Sequence, residues 1–329
     1  MKTLDMSSEM GPAAAGMTGE SRMNFHKQKL TTGVTLNVAT AGPSDAPPVI
    51  LLHGFPESHR TWRAVAPLLE DRFRLVMPDQ RGFGGSDAPP EIDAYRIDRI
   101  VADLFALADA LGIAEFALVG HDWGGAAAWA AAIKAPEVAG RSRISRLAII
   151  NAPHPVVFQK SLIEDADQRA ASQYITAFRT PGFEAAVEAM EFPAFFDKSF
   201  ARHVDLASIP PEERAQYIAE WSQPGTLTGM LNWYRASQLI VPPPGVTVPI
   251  PDWLLGAFPR IHVPVRVIWG MDDRALLPMQ LEGLDRLIDQ VEIVRLSGVG
   301  HFAPWQAPAQ VAQALAPFLA GEPPAKARE

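Results

Sequence analysis

The stretch "FALVGHDWGGAAAWAAAIKA", Phe116 to Ala135, constrains the fold more than any other part of the chain. An apolar run ends in Gly-x-Asp-x-Gly and passes at once into an alanine-rich segment. The run reads as a buried strand and the alanine-rich segment as a helix. Only a tight turn joins them, and Gly120, Gly124 and Gly125 permit the close backbone approach it needs. The spacing is that of a nucleophile elbow, with Asp122 where serine is usual. An aspartate ahead of a helix is also a common N-cap. This stretch alone therefore leaves a structural and a catalytic role open.

The surroundings extend the pattern. "VTLNVAT" (Val34 to Thr40), "PVILLHG" (Pro48 to Gly54), "FRLVMPD" (Phe73 to Asp79) and "ISRLAIIN" (Ile144 to Asn151) read as strands. Between the third of these and Phe116, Ile97, Ile100, Val101, Leu104 and Leu107 recur at helical spacing. Alternating strands and helices imply a mostly parallel sheet covered on both faces. From about residue 152 to 250 the pattern turns helical and aromatic, closing on the proline-rich "VPPPGVTVPIP". Strand signals resume at "VPVRVIWG" and "VEIVRLS", and a final helix covers roughly Pro308 to Phe318. The expected organisation is a disordered tail over 1–23, a sheet domain over 24–151 and 259–322, and a helical insertion over 152–258. Such an insertion would sit over the ligand crevice at the sheet's carboxyl edge.

Composition narrows the function classes. The chain has 329 residues, 48% hydrophobic and 20% charged, a globular composition with ample material for a core. A net charge of −8 and the lack of a basic run exclude a nucleic-acid surface. No stretch is long and apolar enough to span a bilayer, and the N-terminus lacks a signal peptide's apolar region. The chain has no cysteine, hence no disulfide and no thiolate zinc site, which fits a cytoplasmic protein. Oligomeric state is not legible.

Three further motifs bear on Asp122. "HGFP" (His53 to Pro56) follows a strand, where hydrolases with this elbow carry an oxyanion-hole donor. That donor is assigned to the Phe55 N–H, partnered by the Trp123 N–H. "WGMDDRALLP" follows another strand and offers Asp272 or Asp273 to orient a histidine. "GVGHFAPWQAP" places His301 after the last strand and before the last helix. The chain order is nucleophile, acid, histidine, each just beyond a strand, the order of this fold.

With these residues in place the sequence resembles an α/β-hydrolase of the branch with an aspartate nucleophile. That branch includes epoxide hydrolases and haloalkane or haloacid dehalogenases. "HGFPESHRTWR", "DQRGFGGSDAP", "VGHDWGG", "LNWYR", "WGMDD" and "GHFAPWQAP" match in order, so the resemblance covers nearly the whole chain after the tail. It implies an α/β-hydrolase fold with a mostly parallel central sheet flanked by helices, and makes the insertion a helical cap. It implies Asp122 as nucleophile and His301 as general base, with no cofactor and no metal. The family's Gly-x-x-Asp pattern, counted from Gly270, gives Asp273 as the acid, with Asp272 the second choice. Asn151 occupies the position that holds the acid in some relatives, and an amide cannot serve as that carboxylate.

A carboxylate with a reference pKa of about 3.9 is already ionised at neutral pH and needs no base to attack. It displaces a leaving group from saturated carbon and becomes an alkyl ester. His301 then activates water, which attacks the carboxyl carbon of Asp122, and the oxyanion hole serves that second step. Asp122 therefore points to cleavage of an alkyl carbon–oxygen or carbon–halogen bond.

Opening an epoxide makes an alkoxide that needs a proton, and tyrosine, with a reference pKa of about 10, can donate one. Of four tyrosines, Tyr234 in "LNWYR" and Tyr174 in "SQYITAFRTPGF" resemble the family's two cap tyrosines; Tyr217 reads as a packed competitor. Haloalkane dehalogenases pair the Trp after the nucleophile with an Asn after the first Gly of the oxyanion loop. Here Trp123 is present and Phe55 replaces the Asn. Haloacid relatives carry arginines near the nucleophile; this chain has Trp123, Gly124 and Gly125 there, with Arg179 and Arg235 only in the cap. The expectation is an epoxide hydrolase acting on a hydrophobic epoxide and water, with Trp123, Phe178 and Trp233 as substrate walls. The alternatives are a dehalogenase and, from another class, a hydrolase-fold binding protein without turnover.

Overall fold

A computed structural model describes residues 2–5, 23–134, 137–138 and 141–322. Its main sheet is built from β1 (Lys2–Asp5), β2 (Asn24–Lys29), β3 (Thr35–Ala41), β4 (Pro48–Leu52), β5 (Arg74–Pro78), β6 (Phe116–His121), β9 (Ile144–Ile150), β10 (Val265–Gly270) and β11 (Val291–Leu296). A separate two-stranded ribbon joins β7 (Glu137–Val138) to β8 (Arg141–Ser142). The sheet order is β1-β11-β10-β9-β6-β4-β5-β3-β2. Pairing is parallel except at β3, which runs antiparallel to β2 and β5.

The central strands are apolar because both their faces are covered. Alternate side chains of β6 point to opposite faces: Phe116 and Leu118 join one core cluster, Ala117 and Val119 the other. The first cluster takes Leu104 and Leu107 from α1 (Ile97–Ala110) and Trp129 from α2 (Trp123–Lys134). The second takes Val311, Leu315 and Phe318 from α11 (Pro308–Leu319), which follows the short α10 (Ala303–Gln306). This is the mostly parallel, helix-flanked sheet that the alternation predicts.

Two edge elements escaped the sequence reading. Lys2–Asp5 lies within the span expected to be a disordered tail, yet pairs in parallel with β11, Lys2 opposite Glu292. An edge strand offers unpaired backbone groups to almost any extended segment, so "KTLD" needs no strand signature. Residues 6–22 of that span lie outside the described residues. The other edge, β2, is "NFHKQK", too polar and exposed to show an apolar strand pattern.

Between β9 and β10 come α3 (Pro155–Glu164), α4 (Ala166–Ala171), α5 (Gln173–Arg179), α6 (Phe183–Phe200), α7 (Pro211–Trp221), α8 (Thr226–Ala236) and α9 (Asp252–Leu255). They rest on the loops that leave the sheet's carboxyl edge. Trp221 Nε1 donates to the Pro56 carbonyl at 2.7 Å, and Trp233 Nε1 to the Arg81 carbonyl at 3.0 Å. Buried indoles that keep a hydrogen bond anchor the helices at low desolvation cost. No helix among the described residues is long and apolar enough to cross a membrane.

Candidate active site

The parallel register brings five loops to one edge. Leu52 of β4 and Ile149 of β9 flank Gly120 of β6, and Ile150 lies beside Ile268 of β10. The residues just past these strand ends, and past β11, are the ones singled out by the motifs.

Asp122 sits at the elbow with φ 51, a left-handed conformation that a short polar side chain tolerates better than most. The neighbouring glycines let the backbones close around it. A Cβ on Gly120 would lie 2.5 Å from the Gly124 carbonyl oxygen, and one on Gly124 would lie 2.2 Å from that of Leu52. Gly54 matters more directly, since a Cβ there would lie 2.3 Å from Asp122 Oδ1. In the sequence Gly54 is simply the second residue of the His53–Pro56 motif. Its lack of a side chain is what lets the next amide, Phe55 N–H, donate to Asp122 Oδ1 at 2.7 Å.

The other carboxylate oxygen, Oδ2, faces His301 Nε2 at 3.6 Å. His301 Nδ1 lies 2.8 Å from Asp273 Oδ2. Asp273 Oδ1 accepts from the amides of Ala275 and Leu276 at 2.8 and 2.9 Å. Asp273 is buried, whereas Asp272 is exposed and its side chain is not part of this chain of contacts. Of the two aspartates left open by the spacing, the structure brings Asp273 to His301.

Burial alone would pull the His301 pKa down. The Asp273 charge, with the hydrogen bond to Asp273 and the nearby Asp122 carboxylate, outweighs it and holds the imidazole protonated well above its usual range. Burial likewise pushes Asp122 and Asp273 up, and His301 outweighs it, so both carboxyls stay below their ordinary pKa. The arrangement is an imidazolium held between two carboxylates.

Above Asp122, the cap brings Tyr174 and Tyr234 together, ring centroids 6.1 Å apart. Burial raises both hydroxyls well above the ordinary tyrosine pKa, with the Asp122 charge adding to it, so both remain protonated. Both line a cavity of about 740 Å³ with Asp122, Trp123 and Trp233. Phe178, expected as a substrate wall, does not line it. Its ring packs against Tyr234 at 4.9 Å and Phe55 at 5.0 Å, so it supports the tyrosine from behind. Tyr217 lies elsewhere, buried, donating to Glu57 Oε1 at 2.9 Å.

Three buried partners of the site have contacts that the sequence does not show, Asn151 among them although its position is singled out there. Asn151, with φ 41, donates to Asp273 Oδ2 at 2.8 Å and accepts from Gly270 N–H at 3.0 Å. His121 Nε2 lies 2.9 Å from the His301 carbonyl, and Glu57 Oε2 lies 3.7 Å from His121 Nδ1. Burial pushes Glu57 up to about 7, against the Arg63 charge and the hydrogen bonds it accepts. Glu57 falls inside "HGFPESHRTWR", but nothing in that string shows that it points inward. Among the described residues no group of three or more His, Asp or Glu is placed to hold a metal ion.

A loop set of this kind at the edge of such a sheet defines a hydrolase of the α/β class. The family model for the alpha/beta hydrolase fold matches residues 47–308, and the chain belongs to that family. It is 35% identical over 291 residues to the AB hydrolase superfamily protein YfhM of Bacillus subtilis, covering 88% of this chain and 96% of that one. It is 34% identical over 323 residues to Epoxide hydrolase A of Mycobacterium tuberculosis, again covering 88% and 96%. A solved structure from work on novel epoxide hydrolases in metagenomes from hot environments is 44% identical, with a TM-score of 0.82, covering 91% of this chain and 99% of that one.

Proposed function

We propose that the protein is an epoxide hydrolase that converts hydrophobic epoxides to vicinal diols through an alkyl ester on Asp122. The family relatives support the activity. The single observation that carries the residue assignment is Asp122, held by the Phe55 N–H on one oxygen, facing His301 with the other, under two protonated tyrosines. We take 24–151 and 259–322 as the core domain, 152–258 as its cap, and the cysteine-free chain as cytoplasmic.

In the first step Asp122 Oδ2, the oxygen free of the amide, attacks an epoxide carbon. The carbon–oxygen bond breaks, and Tyr174 or Tyr234 gives the leaving alkoxide its proton. Esterification removes the Asp122 charge, one of the supports that keep His301 protonated. The imidazolium can then give up its proton, which restores the tyrosine that protonated the alkoxide, and the neutral ring takes one from water, with Asp273 holding it. The hydroxide attacks Cγ of Asp122. Charge gathers on Oδ1, where the Phe55 N–H waits and the Trp123 N–H is the proposed second donor. Collapse releases the diol and restores the carboxylate.

The dehalogenase reading is the weaker one. Arg235 is paired with Glu184 at 2.6 Å, and Arg179 donates to the carbonyls of Tyr234, Leu239 and Ser237. Both guanidiniums are thus engaged away from an incoming haloacid. A side-by-side panel of epoxides and bromoalkanes tests the choice: diol from epoxides supports the proposal, and halide release with no epoxide turnover refutes it.

A further inference from the structure

The cavity over Asp122 continues along one face of α2. Asp122, Ala126, Ala130 and Lys134 all line it, and a spacing of four residues is the spacing of one helical face. Twelve residues of helix rise about 18 Å, so the channel reaches from the nucleophile at one end of α2 to Lys134 at the other. The two alanines keep its floor open. Phe158, Ile175 and Leu239 supply apolar walls. Gln159 also lines it, but both polar atoms of its side chain are bonded to the Ile240 main chain, at 2.9 Å each.

The two ends differ. Behind Tyr234 the rings of Phe55 and Phe178 are packed together at 5.0 Å, which closes that side. At the mouth, Arg96 pairs with Asp98 at 3.3 Å, so these two charges cancel. Lys134 is exposed there and forms no ion pair among the described residues, so it presents a positive charge at the rim.

We infer that the enzyme favours terminal epoxides carried on a long apolar chain that ends in an anion, with the epoxide at Asp122 and the anion at Lys134. The closed side behind Tyr234 leaves room for little beyond the epoxide itself. The apolar channel takes the chain, and the rim cation takes the far end. The inference rests on the epoxide reading and names a substrate class within it.

The test measures kcat/KM for a series of fatty acids epoxidised at the terminal carbon pair, their methyl esters, a mid-chain epoxide isomer and a short neutral terminal epoxide. With chains long enough to span the channel, the acid is expected to exceed its methyl ester about threefold, the scale of an exposed ion pair. Short acids should show no such preference. Lys134→Gln should erase the preference, and Lys134→Glu should reverse it, with the short neutral epoxide unchanged in both. The mid-chain isomer should fall about tenfold below the terminal one, because its reacting carbons cannot reach the in-line position. Equal rates for long acid and ester, or a preference that survives Lys134→Glu, would overturn the role of Lys134. A mid-chain isomer that matches the terminal one would overturn the blind end. Turnover of no epoxide at all, the short one included, would refute the epoxide reading itself.

Discussion

Asn151 Nδ2 donates to Asp273 Oδ2 at 2.8 Å, the same oxygen that lies 2.8 Å from His301 Nδ1. The amide sits where some relatives keep their acid, and here it supports the acid instead. Through Gly270 N–H it also ties the end of β10 to the start of the loop that carries Asp273. Asn151→Ala leaves a buried amide and part of a carboxylate without partners. The expected cost is about 1–3 kcal/mol of stability, read as a lower urea midpoint, with slower ester hydrolysis from a less firmly held His301. An unchanged midpoint and unchanged turnover would show that this contact carries nothing.

Gly54 permits the hydrogen bond that positions Asp122. Gly54→Ala places a methyl 2.3 Å from Asp122 Oδ1, and the side chain has to move. A displacement of this kind is expected to lower kcat by about 10²-fold or more, with far-ultraviolet circular dichroism unchanged. Retained activity would mean that the Phe55 amide and Asp122 need not meet as they do here.

The tyrosines act only in the first step of the proposed mechanism. Tyr174→Phe and Tyr234→Phe should each slow alkylation by roughly 10²-fold or more, the scale of general acid catalysis, and leave ester hydrolysis nearly unchanged. Stopped-flow tryptophan fluorescence can separate the steps, since Trp123 stands edge-on to Tyr234 at 5.1 Å. Equal slowing of both steps would remove the tyrosines from the acid role.

Glu57 makes a separate prediction about stability. It is buried, and burial raises its pKa from 4.5 to about 7. Between these values the folded state holds more protons than the unfolded state. Glu57 therefore lowers stability progressively as pH rises through that window, by on the order of 3 kcal/mol in total. Glu57 Oε1 accepts from the Tyr217 hydroxyl at 2.9 Å and from Trp305 Nε1 at 2.5 Å; Glu57→Gln keeps an acceptor for both and removes the charge. Its urea midpoint relative to the unmodified protein should rise between pH 5 and pH 8. A difference that does not change with pH would place the Glu57 pKa near its ordinary value.

Much of this was legible because it rests on period and order. The buried strands announce themselves as apolar runs, and the elbow glycines and the sequence Asp122, Asp273, His301 follow the strand ends. Three kinds of feature were not legible. The edge strands β1 and β2 are held by backbone pairing, which leaves no side-chain signature. Asn151 and Glu57 act through direction and depth, and a string does not show where a side chain points. Phe178 was expected at the substrate because aromatic cap residues often line cavities, and its ring instead packs one layer behind, against Tyr234. The choice of Asp273 over Asp272, by contrast, follows from the Gly-x-x-Asp pattern counted from Gly270, and the turn after β10 buries the first and exposes the second.

The central claim is that water attacks Asp122 and not the substrate. A single turnover in oxygen-18 water, with enzyme in excess over a terminal epoxide, tests it most directly. The account predicts unlabelled oxygen in the first diol released, and the label in the peptide that contains Asp122 by mass spectrometry. Label in the diol from that first turnover, with none on Asp122, would contradict it.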